Sequence, residues 1–244
     1  MEVFYTYFNK PGSSDFTRLK ELFEYSLKKH NPKLKITAHV SEYPAERKPS
    51  ERSAHLENIH KLKIWNEKVQ KARGALLLVD CDLLILDDLS EIQKYDADIV
   101  FTDRDMKFST IRFNAGVIFV RPTKEAKQFF QKWCDISEND FDIENDFWKQ
   151  ICRQAKGATQ STLTYMVDNN ICQNTKLKFI PCDIWNCAAA DWSRFSDKTK
   201  ILHVKSELRK WFLMRATEQQ MEEKYNGHLI NILNKYEAEL HGNR

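Results

Sequence analysis

Two aspartates flank a single residue in Asp80-Cys81-Asp82, and the run before them, residues 75–79 (ALLLV), is wholly apolar. A run that apolar suits a strand covered on both faces, as in a parallel sheet. In open α/β sheets, ligands bind outside the carboxyl ends of the strands. Two carboxylates leaving such an end on a turn can reach one hard divalent cation together. A second apolar run, residues 83–86 (LLIL), follows, and then another acidic turn at Asp87-Asp88. The bland alternative is a solvated acidic turn after a strand; the apolar context on both sides favours the metal reading.

The elements that must hold this triplet are legible around it. Residues 2–8 (EVFYTYF) are β-branched and aromatic, and Asn9-Lys10-Pro11-Gly12 breaks them, so they read as a first strand and loop. Ser14 or Asp15 caps a helix running to about Lys29, with Phe16, Leu19, Leu22, Phe23, Ser26 and Leu27 at helical spacing. Residues 34–40 read as a second strand. Residues 51–72 read as a helix, with Leu56, Ile59, Leu62, Ile64 and Val69 on its apolar side and Gly74 at its end. Residues 99–102 and 115–120 read as further strands and 123–133 as a helix. Strands alternating with helices imply an α/β sheet. Residues 213–240 close the chain as an amphipathic helix whose stripe is Met221, Tyr225, Leu229, Ile232, Leu233, Tyr236 and Leu240. Such a stripe is more often a core or dimer contact than a cofactor site. The expected organisation is a catalytic domain over 1–212 and a C-terminal helix over 213–244, packed on that domain or on a partner as a homodimer.

Composition narrows the function classes. The chain has 244 residues, 42% hydrophobic and 30% charged, which is ordinary for a soluble globular protein. Its net charge of +3 gives a mild preference for anionic ligands and no nucleic-acid signature. The cysteines form no CxxC pair, which argues against a zinc site. The N-terminus lacks the features of a signal peptide, and no stretch approaches the roughly 20 apolar residues of a membrane span. The expectation is a cytoplasmic protein with reduced thiols.

Lys63, Asp80-Cys81-Asp82, Asn114-Ala115-Gly116-Val117, Thr159-Gln160 and the run from His203 to Trp211 (HVKSELRKW) occur in an order that resembles retaining GT-A glycosyltransferases. The likeness is nearest to glycosyltransferase family 8 and its nucleotide-diphospho-sugar transferase relatives, and it extends over residues 3–211. The implied fold is a Rossmann-like mixed sheet flanked by helices. The implied activity moves a sugar from a nucleotide-diphosphate donor, a UDP-sugar foremost, to a glycan or other hydroxyl acceptor. By the same resemblance, Asp80, Asp82 and His203 ligate Mn²⁺ or Mg²⁺; an imidazole beside two carboxylates fits Mn²⁺ better than Ca²⁺. Cys81, Asn114, Ala115 and Gly116 line the donor, and Lys63 faces it from the helix before the triplet. Asp103 hydrogen-bonds the donor sugar, with Arg104 and Asp105 as near rivals, and Gln160 lies by the anomeric carbon. Thr6, Tyr7 and Asn9 contact base and ribose. Residues 181–186 (PCDIWN) resemble an acceptor-side segment, in which Trp185 either stacks on a sugar ring or belongs to the core.

The C-terminal run departs from the usual H-x-x-G-x-x-K-x-W. Ser206 stands in place of the glycine and Arg209 in place of the lysine, with Lys205 and Lys210 as further phosphate contacts. An arginine still binds phosphate, in bidentate fashion. Thr159 replaces the family's aspartate, which weakens any covalent aspartyl intermediate there. The implied catalysis is electrostatic: the cation and Arg209 or Lys205 neutralise the departing diphosphate, while Gln160 and Asp103 orient the sugar. Two alternatives stay open. One is an inactive GT-A-like module that binds nucleotide sugars. The other is a haloacid-dehalogenase-like phosphatase, with the first aspartate of D-x-D as nucleophile. Against the phosphatase, Leu84 stands where its motif usually has Thr or Val.

Overall fold

The computed structural model describes residues 1–9, 14–42, 51–105, 112–139, 158–214 and 227–242. β1 (Glu2–Asn9) has two apolar faces at period two. Val3, Tyr5 and Tyr7 pack with Phe23 and Leu27 of α1 (Ser14–His30), while Phe4 packs with Leu62, Trp65 and Val69 of α2 (Glu51–Lys71). Helices therefore cover both faces of the sheet. β2 (Lys35–Glu42) forms its edge, and β3 (Leu76–Val79), buried at every residue, lies on the other side of β1. β4 (Leu83–Ile85) follows the acidic triplet directly.

Beyond a 3-10 turn at Ser90–Lys94, β5 (Ile99–Asp103) and β6 (Phe113–Val120) extend the sheet, and α3 (Lys124–Asn139) and α4 (Ala158–Asp168) pack on the α2 side. β7 (Leu177–Pro181) leads into a short helix, α5 (Cys182–Trp185), and a 3-10 turn at Ala189–Arg194. β8 (Ile201–His203), α6 (Ser206–Leu213) and α7 (Gly227–Gly242) complete the described chain.

The strand order is β2-β1-β3-β6-β5-β7, with β6 antiparallel to both its neighbours and the other pairs parallel. Chain order reverses direction at β1, since β2 lies on one side of it and β3 on the other. That reversal makes the crevice at the carboxyl ends of β1 and β3 the place where such sheets bind ligands. A second, antiparallel pair, β4 with β8, sets His203 opposite Leu83, one residue beyond Asp82. The fold is thus the expected mixed α/β sheet flanked by helices, and it brings the two chemistry-bearing stretches of sequence together.

The described part of the C-terminal stripe is occupied within the chain. Leu229, Leu233 and Tyr236 of α7 pack with Leu19 and Leu22 of α1 and with Leu208 and Phe212 of α6. Lys29 pairs with Glu239 at 2.5 Å, and Arg18 pairs with Glu237. Of the helix expected over 213–240, residues 227–240 lie in α7, Leu213 ends α6, and residues 215–226, with Met221 and Tyr225, fall outside the described residues. Among the described residues, no helix is long and apolar enough to cross a membrane.

Candidate metal centre

The triplet joins the two sheets. The Asp80 amide donates to the Gly116 carbonyl at 3.0 Å, continuing the β3–β6 ladder by one residue, and the Val204 amide donates to the Asp82 carbonyl at 2.8 Å. His203, at the end of β8, is wholly buried between them. Its Nε2 lies 3.1 Å from Asp82 Oδ1 and 3.7 Å from Asp80 Oδ2. One ligand atom from each of Asp80, Asp82 and His203 lies within 4.8 Å of the other two.

A chain of hydrogen bonds sets the imidazole. Thr102 Oγ1 donates to the Asn114 carbonyl at 2.8 Å and so accepts from Asn186 Nδ2 at 3.0 Å. That fixes the Asn186 amide with its Oδ1 toward His203 Nδ1, 2.8 Å away. An amide oxygen only accepts, so Nδ1 carries the proton and Nε2 faces the carboxylates. The 3.1 Å contact from Nε2 to Asp82 is then a hydrogen bond if His203 holds a second proton, and a pair of ligands around a cation if it does not. Metal-bound histidines are oriented by just such a partner on the other ring nitrogen. Two carboxylates and one imidazole suit a divalent ion such as Mn²⁺ better than one that prefers an all-oxygen shell. The residues present therefore fit the expected cation.

Gly116 keeps the centre open. A Cβ built on it would sit 2.8 Å from His203 Cε1, 3.0 Å from His203 Nδ1 and 3.1 Å from Asp80 Oδ2. No side chain fits at that distance, so this β6 position needs glycine for close approach.

Positive groups ring the carboxylates. Lys61 Nζ lies 2.6 Å from Asp80 Oδ1 and 4.7 Å above the Trp65 ring. Arg209 Nη1 lies 3.3 Å from Asp82 Oδ2, and its guanidinium sits 5.0 Å over Phe16. Burial pushes the Lys205 ammonium below its ordinary pKa, although Asp80 and Asp82 oppose the shift. Burial alone would raise the Asp82 pKa; His203, with Lys205 and Arg209, outweighs it and holds the carboxyl well below the usual range. A centre of two anions surrounded by cations is laid out for a ligand that brings its own negative charge.

The other expected residues fall as follows. Lys63 pairs with Glu138 of α3 at 2.6 Å and is half exposed, whereas Lys61 on the same helix reaches the centre. Of the two readings of Trp185, its 2% exposure and its apolar neighbours fit the core. Asp103 Oδ2 accepts from Arg112 at 2.7 and 3.0 Å, and its Oδ1 accepts from the Asp105 amide at 2.8 Å. Asn114 Oδ1 accepts from the Gly116 amide at 3.0 Å, while its buried Nδ2 has no partner among the described residues.

Ala115 and Cys81 are buried, and burial raises the Cys81 thiol pKa far above normal. Thr6 is buried with its hydroxyl unpartnered among the described residues; Tyr7 meets the Thr17 hydroxyl at 2.9 Å. The Asn9 side chain lies outside the described residues. Gln160 is half-buried in the first turn of α4, next to the buried Thr159. Lys210 is exposed on α6. Ser206 opens α6 at φ 53°, in the left-handed region that favours glycine. Asn186 and Thr102, which orient His203, were not anticipated in that role. The signal available for Asn186 was its place in the PCDIWN segment.

A family model for nucleotide-diphospho-sugar transferases matches residues 21–223. No curated protein sequence matches the chain. Among solved structures, the fold is similar to a glycosyltransferase involved in glycosylation of the major capsid of PBCV-1. That likeness has a TM-score of 0.59 and 14% identity, over 86% of this chain and 97% of that one. It is similar also to the glycosyltransferase GlyE of Streptococcus pneumoniae TIGR4, with a TM-score of 0.58 and 16% identity, over 97% of this chain and 60% of that one. The galactosyltransferase LgtC, in complex with donor and acceptor sugar analogs, gives a TM-score of 0.57 and 12% identity, over 96% of this chain and 95% of that one. At such identities these likenesses establish the GT-A fold, and the family match establishes the rest. The chain belongs to the nucleotide-diphospho-sugar transferase family and is a glycosyltransferase of GT-A type.

Proposed function

We propose that this glycosyltransferase is metal-dependent, that Asp80, Asp82 and His203 hold the cation, and that it transfers sugar from a UDP-sugar to an acceptor hydroxyl with retention. The observation that carries the reading is the Asp80–Asp82–His203 cluster at the carboxyl edge of β3, with Gly116 kept free of a side chain beside it. When bound there, a divalent cation supplies Lewis-acid neutralisation of the diphosphate oxygens.

The chain's own groups do the rest. Arg209 offers a planar fork to a phosphate oxygen pair, and Lys61 and Lys205 add point charges beside the same carboxylates. Asn114 Nδ2 is a buried donor whose desolvation a sugar hydroxyl would offset. Asp103, held by Arg112 and the Asp105 amide, is a fixed carboxylate that orients the sugar together with Gln160. Thr159 is buried and bears no carboxylate, which favours direct attack by the acceptor hydroxyl over a covalent aspartyl intermediate at that position. The phosphatase alternative falls with the family assignment.

The test is a panel of nucleotide sugars with Mn²⁺, Mg²⁺ or chelator, followed by slow donor hydrolysis for wild type and Asp82→Ala. Metal-dependent turnover of one donor, absent in the variant, is the expected result. Donor binding without turnover on any acceptor would make the chain a binding module. Turnover unaffected by chelator or by Asp82→Ala would overturn the metal assignment.

A further inference from the structure

Each carboxylate of the centre is divided between two partners. Asp80 turns Oδ2 toward His203 at 3.7 Å and gives Oδ1 to Lys61 at 2.6 Å. Asp82 turns Oδ1 toward His203 at 3.1 Å and gives Oδ2 to Arg209 at 3.3 Å. The inner oxygens with the imidazole make the metal position; each outer oxygen is already neutralised by a protein cation. Lys61 is placed for this by its neighbours. Its ammonium lies 4.7 Å over the ring of the buried Trp65, and the side chain keeps only 15% exposure, against 50% for Lys63 on the opposite flank of α2.

We propose that Lys61 is a stand-in charge that keeps a divalent cation from loading alone, so that metal and nucleoside diphosphate enter as a coupled pair. This rests on the metal reading above and adds to it an order of loading and the residue that sets it. A divalent ion arriving alone meets half-neutralised carboxylates and two positive charges within the same centre, an arrangement of like charges that is unfavourable at short range. A diphosphate arriving with it brings the negative charge that Lys61 and Arg209 can turn to, which frees Asp80 and Asp82 for the metal. By linkage, the factor by which the diphosphate tightens the metal is the factor by which the metal tightens the diphosphate.

The experiment measures Mn²⁺ binding by calorimetry and by the loss of the free-Mn²⁺ electron paramagnetic resonance signal. Each measurement is made with Mn²⁺ alone and with saturating UDP, GDP or ADP. Wild type is expected to bind Mn²⁺ alone at least about tenfold more weakly than with the preferred diphosphate, within the range usual for coupled sites. Lys61→Met keeps an unbranched side chain of similar length beside Trp65 and removes the charge. It is expected to bind Mn²⁺ alone about tenfold more tightly than wild type and to lose most of the coupling. Lys63→Met removes the same charge from the Glu138 side and is expected to change neither affinity.

A folded Lys61→Met protein that binds Mn²⁺ alone no better than wild type, while both bind it with diphosphate, would overturn this inference and leave the metal reading intact. Equal tightening in Lys63→Met would also overturn it, by showing a general charge effect. Absence of Mn²⁺ binding in every state, or equal binding by Asp82→Asn, would overturn the metal reading together with the inference.

Discussion

Gly116→Ala puts the geometry of the centre to its sharpest test, because it adds one methyl group at a position whose backbone already suits any residue. The new Cβ would stand 2.8 Å from His203 Cε1 and 3.1 Å from Asp80 Oδ2. Neither neighbour can yield cheaply. His203 is wholly buried and tied to Asn186 at 2.8 Å, and Asp80 is tied to Lys61 at 2.6 Å. Overpacking of this kind costs about 1–3 kcal/mol, and shifting His203 off Asn186 forfeits about 1 kcal/mol more. A total near 3 kcal/mol corresponds to a melting temperature lower by about 6–12 °C for a chain of this length. Mn²⁺ affinity should fall about 10–100-fold, the usual result of disturbing a metal ligand's support. Gly74→Ala is the control: a Cβ there meets nothing within 4 Å, and that change should be neutral or stabilise by about 0.4–1 kcal/mol. Thermal melts and Mn²⁺ calorimetry in the presence of a diphosphate read both effects. A Gly116→Ala protein that melts within about 2 °C of wild type and binds Mn²⁺ unchanged would refute the claim that this glycine exists to admit His203 and Asp80.

Ser206 holds φ 53°, so Ser206→Gly should leave the fold up to about 1 kcal/mol more stable: relief of about 1–2 kcal/mol of left-handed strain, less the added freedom of the unfolded chain. A urea midpoint below wild type would contradict this. Asp82 has its folded-state pKa depressed, so its stabilisation is fully present above the ordinary 3.8 and is lost as pH falls below that value. In chelator, Asp82→Asn should therefore be about 3 kcal/mol less stable than wild type at pH 7, having left Arg209 without its anion. The gap should close in acid, and a gap that widens with falling pH would reverse the sign and defeat the reasoning. Leu233→Ala deletes a wholly buried side chain between α7, α1 and α6 and should cost about 2–4 kcal/mol, with faster amide exchange in α7 first. Uniform acceleration across the sheet would show instead that α7 is not a separable unit.

The sheet was legible where burial writes a simple pattern and illegible where it does not. The apolar run ahead of Asp80 announced β3, and alternation with helical stretches announced the α/β class. The reversal of β6 left no trace, because all eight of its residues are buried and a wholly buried strand reads the same in either direction. β8 spans only Ile201–His203, too short to show a period. α4 is rich in Thr and Ser, which are modest helix formers. Two of its buried hydroxyls are satisfied, as Thr164 donates to the Gln160 carbonyl at 3.1 Å and Thr162 meets Ser137 of α3 at 2.8 Å, while that of Ser161 has no partner among the described residues. Hydrophobic periodicity cannot detect a helix that buries hydroxyls.

The two lysines of α2 show what pattern reading lacks at the site itself. Lys61 and Lys63 are two residues apart on α2, roughly 200° around the helix, and both flank the stripe formed by Leu62, Trp65 and Val69. The stripe says that each is a flank; it does not say what each flank faces. The neighbours decide. On one side α3 approaches, with Asn66 donating to Gln131 at 3.0 Å, Gln70 to the Lys127 carbonyl at 2.9 Å, and Lys63 reaching Glu138. On the other lie β1 and β3, where Lys68 meets Glu2 at one end of the strands and Lys61 meets Asp80 at the other. Spacing along the helix does not separate the two; the placement of α3 does. Ser206 makes the converse case. The residue differs from the glycine of the motif, yet its backbone takes the left-handed conformation that glycine favours, and Arg209 one turn on still reaches Asp82 at 3.3 Å.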